Sequence, residues 1–289
     1  MMRSTQKTSA TIAASLEEEN PKIFATISEI AEYLSFGTYG KRKKGNGDDF
    51  WQFRQLSLGE SANKIDWRRT AKTNHVFVKE KEAQNPKRFQ FWVDSRPAMH
   101  WTSDPKIAPK SVCAQTLAIG IFLSLRKIGQ YPSFLGQTSN PNSIDEILGL
   151  TNNLGKSAPA PNKAGEVLLM SDGLEAIEIW HNRFAQIKSR GGKPLLVIVQ
   201  DPLEHSFEIS GRVQFQSIDG LNQKILIDDC GSIKRQYLAR YEDHFRALRE
   251  LANKMEVALF FHVTGTEYLG IAKKIWRSFE NALARGRAP

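Results

Sequence analysis

Nowhere in the 289 residues is there an apolar run long enough to cross a bilayer. The longest stretch, Val112 to Leu125, is interrupted by Gln115, Thr116 and Ser124, and it falls short of the ~20 residues a spanning helix needs. Met1 to Ala14 is polar and rich in Ser and Thr, without the apolar centre of a secretory signal. A soluble, cytoplasmic protein with no transmembrane segment is the expectation. Cysteine is almost absent. Cys113 and Cys230 lie far apart and match no metal-ligand spacing, so two buried thiols in a reducing compartment are expected. Catalytic signatures are missing too. There is no G-x-S-x-G elbow, Walker phosphate loop or H-E-x-x-H helix. Gly191-Gly192-Lys193 lacks the earlier glycine and the hydroxyl residue of a phosphate loop, and it follows a helix instead of opening one. The histidines are scattered, with no pair at ligand spacing. No enzyme is expected.

What is present is an ordinary globular composition with a basic bias. The length suits one large α/β domain or two modest ones. Forty Lys and Arg against 31 Asp and Glu leave a formal charge of +9, which suits an acidic partner such as nucleic acid, an anionic membrane surface or an acidic protein. No nucleic-acid motif accompanies the charge, so nucleic acid is not the expected partner. The densest run, Lys41-Arg42-Lys43-Lys44 before Gly45-Asn46-Gly47, reads as a solvated basic loop.

Periodicity gives the architecture. Ile23, Ile27, Ile30 and Leu34 recur at helical spacing behind Pro21, and Gly37 ends the pattern. From His75 onward strands alternate with helices. Strands are expected near Val76 to Glu82, Arg88 to Asp94, Tyr131 to Gly136, Val167 to Met170, Leu195 to Gln200 and Val257 to Val263. Helices are expected over Ser111 to Ile128, Ser143 to Asn153, Leu174 to Arg190, Ser232 to Lys254 and from Glu267. A β-hairpin is read between Phe207 and Asp228, turning at Asp219-Gly220. Such alternation implies an α/β, doubly wound, mainly parallel sheet with an added hairpin.

Ligands of such sheets bind beyond the carboxyl ends of the strands. Asp94 and Asp172 stand there, each after an apolar strand. Two readings are open: each caps the helix that follows, or the pair converges on a hard cation such as Mg²⁺. Capping is the simpler reading on spacing alone. In Gly59 to Lys72, Asp66 suits a helix cap and Trp67 is a large apolar anchor beside Arg68 and Arg69. A structural role there has Trp67 docked on the sheet and Asp66 paired with a nearby arginine.

Arg54, Gly59-Glu60, Ile65-Asp66-Trp67-Arg68, Ala71-Lys72, Val78 and Glu80, followed by Trp92-Val93-Asp94, Met170-Ser171-Asp172 and Asp201-Pro202 with Glu204, form one pattern. It closely resembles the bacterial family catalogued as domain of unknown function 58, over about residues 38 to 285. The resemblance implies a von Willebrand A-like fold and partnership with MoxR-type AAA+ ATPases. It also implies a metal-ion-dependent adhesion site of the form D-x-S-x-S. Here the two serine positions hold Arg96 and Ala98, so the site at Asp94 and Asp172 is degenerate. Its middle threonine has only Thr138 as a candidate, and Glu60 and Asn63 are further departures. Arg96 is expected to replace the ion by pairing with Asp94 or Asp172.

The chain thus divides into a tail and short helix (1–37), a family signature segment (38–86) and a von Willebrand A-like domain (87–289). The expected function is a non-catalytic protein-interaction module, without a required cofactor, binding through Asp66, Trp67, Arg68 and Arg96. The alternative is a basic nucleic-acid or membrane-surface binder. A metal-dependent hydrolase at Asp94 and Asp172 ranks last, for want of a nucleophile or general base.

Overall fold

Apolar runs of four or more residues need burial on both faces, and a parallel sheet between helices supplies it. The computed structural model describes residues 21–36, 44–56, 65–72, 75–82, 87–137, 141, 146–147, 149, 158–161, 163–216 and 224–285. The order begins α1 (Pro21–Phe36), β1 (Lys44–Gln55), α2 (Trp67–Thr70), β2 (Phe77–Glu82), β3 (Arg88–Val93), α3 (Lys110–Lys127) and β4 (Tyr131–Phe134). It continues with β5 (Gly165–Ser171), α4 (Ile177–Ser189), β6 (Gly192–Gln200), α5 (Pro202–Ser206), β7 (Val213–Gln216), β8 (Lys224–Ile227), α6 (Cys230–Lys254), β9 (Ala258–Val263) and α7 (Tyr268–Arg285).

Five strands form one parallel sheet in the order β4-β3-β5-β6-β9. The chain goes from β3 to β4 on one side, then returns to lay β5 on the other. The order therefore reverses between β3 and β5, which opens a crevice at their carboxyl ends. Val167–Met170 and Leu196–Val199 are fully buried, each large aliphatic contributing roughly 1.5–3 kcal/mol. Helix α3 is apolar nearly all round because it lies between the sheet and α1, whose Ile27, Ile30 and Leu34 join the same core. Phe122 of α3 stacks on Phe134 of β4 at 5.2 Å and leans on Phe91 of β3 at 5.7 Å, fixing the helix over this side of the sheet.

Two antiparallel ribbons lie outside this sheet, β1 with β2 and β7 with β8. The first corrects the sequence reading: Lys44 to Gly47 belong to strand β1, not to a loop. Its ladder slips between Gly45 and Phe50, the irregularity a glycine-containing segment invites, and this hides the alternation that would betray a strand. The second ribbon is the expected hairpin with a later start, at Val213. Phe207 instead ends α5 in the left-handed conformation. The expected turn at 219–220, the N-cap at Ser143, Thr138, Glu60, Asn63 and residues 1–20 lie outside the described residues. No helix among the described residues is long and apolar enough to cross a membrane.

Candidate functional site

The crevice between β3 and β5 is lined by charge. Asp94 follows β3 and Asp172 follows β5, both only 1% exposed. Between them lies the guanidinium of Arg96. Its Nη2 donates to Asp94 Oδ2 and to Asp172 Oδ1, each at 2.6 Å. Its Nε donates to Asp94 at 2.9 and 3.1 Å. Burial by itself would lower the guanidinium's pKa. The hydrogen bond to Asp94 and the charges of Asp172, Asp94 and Glu175 outweigh it, so the group is held above its ordinary value.

Backbone geometry places the arginine there. The Asp94 carboxylate accepts the Arg96 N–H at 2.9 Å, a tight turn that swings residue 96 back over the strand end. Pro97 then opens a short 3₁₀ helix, Pro97–His100. Asp172 holds its own turn by accepting the Leu174 N–H at 3.1 Å. Neither aspartate is a helix N-cap: those positions are Arg96 for the 3₁₀ helix and Ala176 for α4, without side-chain caps. The capping reading is therefore corrected. Each carboxylate shapes a turn and binds a cation, which two oxygens permit.

Four residues to which the sequence assigned no role complete the cluster. Ser171 donates to Asp94 Oδ2 at 2.8 Å and accepts from Gly173 N–H at 3.2 Å. Lys110, the first residue of α3 and 1% exposed, pairs with Glu204 and lies 3.8 Å from Asp172. Burial raises the Glu204 carboxyl above its usual range, against the pull of Lys110. The last is Asp201, fully buried, whose carboxylate accepts backbone N–H groups of Ser103 and Leu203 at 2.9 Å. With Glu204 it forms a capping box on α5. The Asp-Pro-x-Glu spacing after a strand carries that signal. Lys110 carries none, because its partner Glu204 lies 94 residues away.

Across the cluster, Arg96 and Lys110 face Asp94, Asp172 and Glu204. The Arg96 guanidinium spans the space between the Asp94 and Asp172 carboxylates and supplies the positive charge there. Ser171 is not poised as a nucleophile. Its hydroxyl is buried and engaged on both donor and acceptor sides.

Asp66, Trp67 and Arg68 sit elsewhere, on α2 beside the β1–β2 ribbon. Asp66 caps α2 by accepting the Arg69 N–H at 3.0 Å. Arg69 lies over the rings of Phe53 and Phe77 at 4.3 and 5.4 Å, tying the helix to the ribbon. Trp67 is 66% exposed, so it does not dock on the sheet as a structural anchor. Arg69 fills that role instead.

Residues 52–146 match the model of a family described as Protein of unknown function DUF58. Over this stretch the chain is similar to that family. The DUF58 match carries β2, β3, Asp94, Arg96, Lys110 and α3, whereas Asp172, Asp201 and Glu204 come from chain beyond it. The crevice is therefore closed by both parts of the chain. No curated protein matches the chain.

Proposed function

We propose that this chain is a von Willebrand A-like interaction module that docks on an AAA+ ATPase of the MoxR type or on its client. The observation that carries this reading is Trp67, two-thirds exposed beside exposed Arg68 on a helix fixed by the Asp66 cap and the Arg69 stack. Tryptophan and arginine are the residues most often found at interface hot spots, and a rigid support lowers the entropy lost on binding. The von Willebrand A-like element of the proposal is supported by the parallel sheet with paired aspartates at its switch point. Arg96 in the ion's place makes the proposed docking metal-independent.

The test is affinity purification of the tagged chain from its native cells, with and without ATP, followed by mass spectrometry. Enrichment of an AAA+ ATPase by wild type is expected. With Trp67→Ala the recovery falls at least about tenfold, the scale of a single hot-spot residue, while thermal melting is unchanged. Recovery of nucleic acid or lipid-associated material alone, lost at high salt, would overturn the reading in favour of a basic surface binder.

A further inference from the structure

Helix α2 and the residues just after it leave one face open, and the make-up of that face specifies what covers it. Trp67, Arg68, Ala71 and Lys72 are all exposed. Residues four apart share one side of a helix, so Trp67 and Ala71 form one column and Arg68 and Lys72 the next. Building on the docking role of Trp67, we propose that this face binds an acidic protein segment. An apolar side chain of the segment packs against Trp67, and two carboxylates meet Arg68 and Lys72.

Charge complementarity selects this occupant. Among the described residues no carboxylate pairs with Arg68 or Lys72. Asp66, the acid beside them in sequence, is turned to the Arg69 N–H as the cap of α2. Arg69 itself is committed to the rings of Phe53 and Phe77. The two remaining cations stand one turn apart, a rise of about 6 Å. Carboxylates at i and i+4 of a partner helix have the same spacing, and alternate carboxylates of an extended segment stand about 6.8 Å apart. The apolar half of the face is Trp67, with Ala71 placing only a methyl group beside it as a shelf. One aromatic ring and two cations are too few for single-stranded nucleic acid, which needs a basic groove along the backbone and rings under successive bases.

The face is also fixed before a partner arrives. The Phe77 carbonyl accepts the Asp66 N–H at 2.8 Å, and the Phe77 N–H donates to Thr70 Oγ1 at 3.0 Å. Strand β2 thus grips α2 at both ends, and Ile65 bridges to Val78 just ahead of the cap. Little backbone order is left to gain on binding, which lowers its cost.

Fluorescence anisotropy on the full chain, with the labelled peptide Gly-Glu-Phe-Glu-Phe-Glu-Gly, tests the assignment. Wild type is expected to bind it at least about tenfold tighter than the same peptide with Lys for Glu or with Ser for Phe, the scale of charged hydrogen bonds and of one hot-spot contact. Arg68→Glu/Lys72→Glu reverses the choice between the Glu and Lys peptides, and Trp67→Ala weakens the Glu peptide at least about tenfold. Arg240→Gln, an exposed cation on α6, changes nothing, and melting curves verify that each variant is folded. Undiminished binding of the Glu peptide to the charge-reversed variant would overturn the proposal, as general attraction to a chain of charge +9. Displacement of the peptide by oligothymidylate at lower concentration than by unlabelled peptide would overturn it in favour of nucleic acid. Capture of an AAA+ ATPase that Trp67→Ala abolishes and the charge reversal leaves intact overturns the acidic chemistry alone and keeps the docking reading. Peptide selectivity that follows these variants, with no ATPase captured, supports the acidic chemistry and overturns only the ATPase as partner.

Discussion

Removing the Arg96 side chain leaves Asp94 and Asp172 facing each other, nearly without solvent. Breaking a buried ion pair at one partner costs about 3–5 kcal/mol, because the remaining charge is uncompensated. Arg96→Ala is accordingly expected to lower stability by that order in urea unfolding. Millimolar Mg²⁺ should restore part of the loss, as a cation reclaims the vacated position, while wild type shows no Mg²⁺ response. A neutral variant with and without Mg²⁺ would remove the arginine from this role. His262, on β9, is 4% exposed, and burial pushes its pKa down to about 4. The unfolded imidazole titrates near 6.5, so between these values the unfolded chain binds more protons. This contribution to stability is full above about pH 6.5 and is lost as pH falls toward 4, at up to about 1.4 kcal/mol per unit. Urea midpoints from pH 7 to 4 should fall more steeply in wild type than in His262→Gln.

At the scale of elements, the turn after β5 is the most constrained junction. Gly173 has φ +74°, and a Cβ there would lie 2.5 Å from Ile198 Cδ1 and 3.2 Å from the Phe245 ring. The His244 ring nitrogen Nε2 meets the Gly173 carbonyl at 2.8 Å, so α6 clamps this turn directly. Gly173→Ala combines backbone strain with overpacking and is expected to cost about 1–3 kcal/mol, read as a lower denaturation midpoint. The buried parallel strands were legible because Phe91–Val93, Val167–Met170 and Leu195–Val199 are unbroken apolar runs. Strand β1 was not. Its Gly45-Asn46-Gly47 and charged neighbours carry turn signals, and only pairing with β2 makes a strand of them.

For the molecule as a whole, stability concentrates in the five-stranded sheet and thins in the ribbons. Ile225 and Leu226 of β8 are 61% and 52% exposed, whereas β5 and β6 are buried on both faces. Native-state amide exchange should find β5 and β6 opening only with global unfolding. The β7–β8 ribbon should exchange on the order of a hundredfold faster or more. Equal protection in the two regions would contradict this division.

The sequence by itself determined the α/β class and most elements of the parallel sheet, because apolar runs and helical periodicity are local properties. It also placed Asp94 and Asp172 at strand ends and put forward Arg96 as a partner for either. The tertiary structure alone decided which strands are neighbours, and so that one guanidinium reaches both aspartates. It brought Lys110 and Glu204 into the same cluster across 94 residues of chain. It also left Trp67 exposed and gave the anchoring of α2 to Arg69. Hydrogen bonds and ion pairs depend on distances of a few ångströms, and those between residues remote in sequence exist only once the sheet order is set.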